Sequence, residues 1–145
     1  MQQNIDLTAA LAELAHRAGA SCEGEIGCVG YAGGAAAAGT DPDQAAKFAR
    51  DTAIDALAIS IGNLHLQQTA VNGLDLNRPA AIEALTTVPL VIHGGSGVPT
   101  DKRAALAAGS RIAKFIIGTE LRMEFGSALR YSLTRDLALF DRIAV

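Results

Sequence analysis

The sequence has no tryptophan, and aromatic residues make up only 4% of its 145 positions. Alanine and glycine are abundant instead, and half the residues are hydrophobic. That balance excludes a disordered chain and suits close packing of helices on a sheet. Charge of one sign is also scarce: the net charge is −3, and no block of basic residues exists. No nucleic-acid partner is expected from this. No apolar run approaches the roughly 20 residues that cross a bilayer, so no membrane partner is expected either. There are two cysteines, Cys22 and Cys28, without Cys-x-x-Cys spacing. They read as reduced thiols of an intracellular protein. The opening Met-Gln-Gln-Asn is not a targeting segment, and the expected location is cytoplasmic. The length fits one domain, large enough to bury roughly two thirds of its unfolded surface.

What is present is organised around Val88-Pro-Leu-Val-Ile-His-Gly-Gly-Ser-Gly-Val-Pro99. An apolar run stops at His93, and three glycines and a serine follow. This pattern predicts a buried strand that ends in a loop able to wrap an anion. Similar punctuation recurs along the chain. Ile54–Ile61 is a second apolar run, followed by Gly62-Asn63-Leu64-His65, and Ser110–Ile117 is a third, ending at Gly118-Thr119. Ser21–Gly27 is shorter and mixed. Helical periodicity lies between the runs. A helix is predicted over Ile5–Ala18, capped by Asp6, with Leu7, Leu11, Leu14 and Ala15 on its packed face, and Gly19 ends it. Thr40-Asp-Pro-Asp43 opens a helix to about Thr52, with Ala45, Ala46, Phe48 and Ala49 packed. Further helices are expected over Pro79–Leu85, from Thr100 or Asp101 to Ala108, and after Glu120. The tail Leu137–Phe140 is expected to pack back on the sheet, and Val29–Thr40 reads as a Gly/Ala loop. The alternation predicts an α/β fold with four parallel strands and right-handed crossovers.

The chemistry-bearing residues fall at strand ends. If their strands are neighbours, His65 and His93 stand on adjacent lips of one sheet end. With Glu23 or Glu25 they make a plausible N/N/O metal set. Such a set leaves a coordination position open, which suits a catalytic metal. Strand alternation puts Glu23 and Glu25 on one face and Cys22, Gly24 and Ile26 on the other. That acidic face is either the solvated side of an edge strand or the wall of a polar site. Gly94, Gly95, Ser96 and Gly97 are either tight-turn residues needing positive φ or a phosphate cup, which Gly118 and Thr119 would complete. Lys114, within its apolar run, is read as the partner of an acid rather than as a Schiff-base lysine. His16 lies in the last turn of a helix, where the dipole favours it.

Taken together, Glu23-Gly-Glu-Ile-Gly27, Thr40-Asp-Pro-Asp43, Ile59-Ser-Ile-Gly-Asn-Leu-His65, Pro89-Leu-Val-Ile-His-Gly-Gly-Ser-Gly97 and Gly118-Thr-Glu-Leu121 resemble the class II, metal-dependent fructose- and tagatose-bisphosphate aldolases. The resemblance implies a zinc-dependent TIM (β/α)8 barrel, of which residues 1–145 are the C-terminal half, four βα units, with the first half absent. It implies that His65 and His93 are two of three histidine ligands of the zinc, and that Glu25 holds a second or displaced metal position. It assigns Gly94, Gly95 and Ser96 to the phosphate of the substrate, with Gly118 and Thr119 nearby, and allows a second divalent ion and a monovalent cation. The activity implied is reversible aldol cleavage of a ketose (bis)phosphate to dihydroxyacetone phosphate and an aldehyde, with the metal polarising the ketone. The implied partners are a phosphorylated sugar and either further copies of the chain or a complementing N-terminal half. The third histidine and the proton-shuttling aspartate belong to the absent half. A half barrel is expected to expose two strand edges and an apolar inner face.

Two positions and one stretch depart from the family pattern. Leu66 follows His65 where a glycine is expected, and Ile116 stands where an asparagine is expected. The acidic stretch after the first strand is replaced by Gly and Ala.

Overall fold

The computed structural model describes residues 1–34, 38–70 and 73–140. Four parallel strands form its main sheet: β1 (Glu23–Glu25), β3 (Ala56–Ile59), β5 (Leu90–Ile92) and β6 (Ile112–Phe115), side by side in that order. Beyond their C-terminal ends, two residues of each lip pair again, β2 (Gly30–Tyr31) beside β4 (Leu64–His65). Helices α1 (Gln2–Arg17), α2 (Pro42–Thr52), α3 (Arg78–Glu83), α4 (Thr100–Gly109) and α5 (Thr119–Arg135) alternate with the main strands. This is the architecture of half a (β/α)8 barrel, as the resemblance implied.

Each face of the sheet follows from residue alternation. Leu57, Ile59, Leu90 and Ile92 point to the helices and form one core with Phe48, Ile82 and Leu106. Gly24 belongs to the same face, because a Cβ there would lie 2.8 Å from the Phe48 ring. The opposite face, which lines the inside of a barrel, carries Glu23, Glu25, Ala58, Val91 and Lys114 by register. It is polar rather than apolar. Glu23 and Lys114 form an ion pair between the two edge strands. Three inter-strand spacings of about 4.8 Å separate those edges in a flat sheet, so the contact requires the sheet to curl. Ala58 and Val91, small and 1% exposed, lie between the two edges.

Several helix predictions need correction. Helix α1 starts at Gln2, and Asp6 sits inside it, accepting a bond from Gln2 Nε2 at 2.8 Å. Its buried residues are Ile5 and Ala12, and α1 packs on α2; Leu7, Leu11 and Leu14 are each more than half exposed. The leucine stripe is real, but it lies on a face that no described residue covers. Helix α5 likewise buries none of its residues, and Leu137 and Phe140 stand exposed beyond it instead of packing on the sheet. These apolar faces lie on the two terminal helices of the half barrel, where the next βα units of a full barrel would pack. Helix α4 begins at Thr100 without a side-chain cap, since Pro99 holds the N-cap position. The loop read over Val29–Thr40 falls partly outside the described residues.

Other local signals hold. Gly19 adopts φ +73°, and the pair of bonds from Gly19 N to His16 O and Ala20 N to Ala15 O closes α1. Asp41 caps α2 by accepting from Gln44 N at 2.9 Å, with Pro42 in the first turn. His16 has a structural role. Its Nε2 lies 2.8 Å from Asp55, whose carboxylate also accepts from the Cys22 N–H at 2.7 Å. The Cys22 N–H, and then His16, hold the Asp55 carboxyl below its ordinary value of 3.8. A carboxyl depressed in the folded state adds stability above that value and loses it as pH falls through the folded one. The urea midpoints of the parent and Asp55→Asn should therefore differ at pH 5 and converge below pH 3.8. A gap that persists unchanged to pH 3 would remove the charge from this account.

Candidate active site

The site lies at the C-terminal end of the sheet, where β/α folds place their chemistry. His93 follows β5 and His65 ends β4, and their ring centres are 6.5 Å apart. Because β3 and β5 are neighbours, the two histidines stand on adjacent lips, as their strand-end positions predicted. Each ring is held. Tyr31, from β2, packs on His65 at 5.2 Å between ring centres. His93 sits between the acids of β1, with Nε2 2.9 Å from Glu23 and Nδ1 3.5 Å from Glu25. Partial burial raises the Glu23 carboxyl, but the hydrogen bonds from Lys114 and His93 outweigh this and hold it below its ordinary value. On the acidic face, β1 is an edge strand of the sheet, and both of its carboxylates contact His93. Lys114 pairs with an acid, as expected.

Asn63 locks the lips together. It is fully buried; its Oδ1 accepts from Ile61 N at 2.7 Å and its Nδ2 donates to the His93 carbonyl. Gly94, at φ +61°, presses against the Leu64 carbonyl, where a Cβ would lie 2.6 Å from the oxygen. The chain before His65 is thus fixed to the chain after His93.

The glycine loop is a single 3-10 turn, Gly95–Gly97. Gly94, Ser96, Gly118 and Thr119 line one cavity of about 180 Å³ with His65, Leu66 and Ile116. Gly95 is not in that lining, and its N–H donates to the Ile116 carbonyl at 2.9 Å. Ser96 Oγ accepts from the N–H groups of Gly118 and Glu120, both at 3.2 Å. The serine therefore ties the loop to the start of α5. A second tie runs from Arg103 to Glu120 through bonds of 2.7 and 3.0 Å. Arg122 also reaches the cavity, donating to Thr119 Oγ1 at 3.0 Å. Leu66 occupies left-handed backbone, φ +58°, a conformation that costs a side-chain-bearing residue roughly 1–2 kcal/mol. The geometry at this position is the one a glycine would adopt freely.

Sequence reasoning did not single out Tyr31, Asn63 or Arg122. Tyr31 stood in a stretch read as a Gly/Ala loop, and Asn63 was only a spacer in Gly-Asn-Leu-His. Position 122 follows the Gly-Thr signal by one helical turn, which is the cue that would have found the arginine.

The donors suit a metal in type, though they do not form a closed set. Zinc–nitrogen bonds of about 2.0–2.1 Å require both rings to aim at one point, and His93 here directs its nitrogens at Glu23 and Glu25. Among the described residues no group of three or more His, Cys, Asp or Glu side chains is arranged to hold a metal.

Known proteins resemble this chain in sequence and fold. The chain is 34% identical to the 6-phospho-5-dehydro-2-deoxy-D-gluconate aldolase of Shouchella clausii (strain KSM-K16), over 97% of this chain and 49% of that enzyme. The crystal structure of the YdjI aldolase from Escherichia coli K12 superposes with a TM-score of 0.72 at 35% identity, over 90% of this chain and 44% of that one. The chain thus spans about half the length of each. The family model for fructose-bisphosphate aldolase class-II matches residues 1–143. With paired strand-end histidines beside a glycine-serine loop on four parallel βα units, the chain belongs to the class II fructose-bisphosphate aldolase family.

Proposed function

We propose that this chain is the metal- and phosphate-binding half of a zinc-dependent aldolase, which cleaves a ketose phosphate reversibly to dihydroxyacetone phosphate and an aldehyde in cytoplasmic carbohydrate metabolism. The observation that carries the reading is the placement of His65 and His93 on adjacent lips, beside the cavity lined by Ser96, Gly118 and Thr119. His65 and His93 would hold the zinc, with Glu25 close enough to serve a second or displaced position. A bound zinc supplies Lewis-acid polarisation of the substrate carbonyl. Glu23 orients the His93 ring through Nε2, a carboxylate–histidine arrangement that fixes ring position and tautomer. The Ser96 hydroxyl and the Gly94 and Thr119 region would seat the phosphate. A third histidine and a proton-transferring acid have to come from outside these residues, from a complementing N-terminal half or another copy. Turnover is expected only where they are supplied.

Zinc titration of the chain tests this. Parent protein should bind zinc, and His65→Ala and His93→Ala should each weaken binding at least tenfold, whereas His16→Ala should not. If His93→Ala keeps the parent affinity and stoichiometry, the metal assignment is wrong.

A further inference from the structure

Strand β6 contains a bulge that decides where Lys114 points. Leu90 pairs with Ile112, but Val91 pairs with Lys114 and not with Ala113. In unbroken register Lys114 would stand beside Ile92, on the side of the sheet that packs against the helices. The extra residue turns Lys114 to the inner face and leaves Phe115 to pack on the core. Bulges occur beside active sites, where they re-aim a side chain.

The lysine then selects between two acids. Pairing across the sheet puts Glu25, Ala58, Val91 and Lys114 in one row. Its Nζ nonetheless pairs with Glu23, two residues earlier on β1. Both Glu23 oxygens are thereby committed, Oε2 to Lys114 and Oε1 to His93 Nε2 at 2.9 Å. Glu25 has a looser hold on the same ring: it lies 3.5 Å from Nδ1, longer than an N–H···O bond, and its side chain is more exposed than that of Glu23. The Lys114 side chain is half exposed, and a pair this open adds little stability. What it supplies is a second fixed point for a flexible carboxylate that reaches His93 from β1 across the intervening β3.

We propose that Lys114 is a positioning residue for His93: through Glu23 it fixes the ring with Nε2 bonded and Nδ1 left open, and the β6 bulge is what places it there. The inference rests on the reading of His93 as a metal ligand. It adds a third residue, from the opposite edge of the sheet, to the control of that ligand.

Proton NMR and zinc titration of the full chain test it. Lys114→Met keeps the apolar stem and removes the charge, and Lys114→Arg keeps the charge. Held by Glu23, the His93 Nε2 proton exchanges slowly with water and gives a downfield signal, assigned by its loss in His93→Ala. The signal should vanish in Lys114→Met and persist in Lys114→Arg. Zinc affinity should fall about tenfold in Lys114→Met, the lower end for groups that orient a ligand from behind, and hold in Lys114→Arg. Simple charge predicts the opposite, because removing a cation beside a metal site strengthens binding. In a Glu23→Ala background Lys114→Met should cost nothing further, since the lysine acts through that acid. A Lys114→Met variant that keeps the proton signal, or binds zinc as tightly as the parent or more so, overturns the inference. So does an equal loss in Lys114→Arg, or a loss that adds to that of Glu23→Ala. If the parent binds no zinc the metal reading falls, and the proton signal, read without metal, decides this inference.

Discussion

Replacing Gly94 with alanine should destabilise the chain by about 3 kcal/mol, far more than the same change at Gly19. Both glycines have positive φ, +61° and +73°. Both therefore incur the left-handed penalty of roughly 1–2 kcal/mol once a Cβ is added. They differ in surroundings. At Gly19 no atom of the described residues lies within 4 Å of the new atom. At Gly94 it would lie 2.6 Å from the Leu64 oxygen, 2.8 Å from the Leu64 carbonyl carbon and 3.2 Å from His65 N. These are backbone atoms and cannot swing aside as a side chain would. The only relief is to push β4 off the glycine loop, and β4 carries His65. Urea denaturation of the two variants beside the parent checks the claim. Equal losses would mean that the close approach of the two lips contributes nothing beyond φ. The same displacement should weaken zinc binding in Gly94→Ala and leave it unchanged in Gly19→Ala.

How much of this could be read from residues alone depended on the range of the interaction. Buried parallel strands announce themselves locally, so Leu90–Ile92 and Ala56–Ile59 lie inside the apolar runs. Strand parity placed Glu23 and Glu25 on one face correctly, because alternation is a property of a single strand. The cap at Asp41 and the stop at Gly19 are likewise local chemistry. Helix faces were harder. In α1 the leucines outnumber the two residues that are buried, and a periodicity argument follows bulk. Which stripe is covered depends on α2, and α1 turns Ile5 and Ala12 toward it. The inner face was misjudged for a related reason. Lys114 looked like one polar residue in an apolar run, yet it meets Glu23 on the far edge of the sheet. Only the curl of four strands brings positions 23 and 114 together. The departures Leu66 and Ile116 were visible separately in the sequence; that they line one cavity is a tertiary fact.

Asn63 gives the second large effect, because it is buried, bonded at both ends and placed between the two histidines. Its Oδ1 satisfies the Ile61 N–H and its Nδ2 satisfies the His93 carbonyl. Asn63→Ala removes both partners at once and leaves two polar backbone groups in a site that is 0% exposed. At roughly 1–3 kcal/mol for each unsatisfied group, a loss of about 3 kcal/mol is expected. Asn63→Asp keeps the bond to Ile61 N but turns a carboxylate oxygen on the His93 carbonyl, so it should not rescue. Stability alone would not separate a positioning role from a packing role. Zinc affinity does. Groups that orient a ligand from behind change metal affinity by about 10–100-fold when removed, and Asn63 holds the backbone of one histidine from a position two residues before the other. The control is Ile82→Ala, which opens the same core beneath α3, away from the lips, at a cost of about 2–5 kcal/mol. If zinc affinity falls in Asn63→Ala and holds in Ile82→Ala, measured where both remain folded, the asparagine sets the distance between the two imidazoles. If both variants lose affinity in proportion to stability, Asn63 is a core residue and the spacing of His65 and His93 is fixed by the sheet alone.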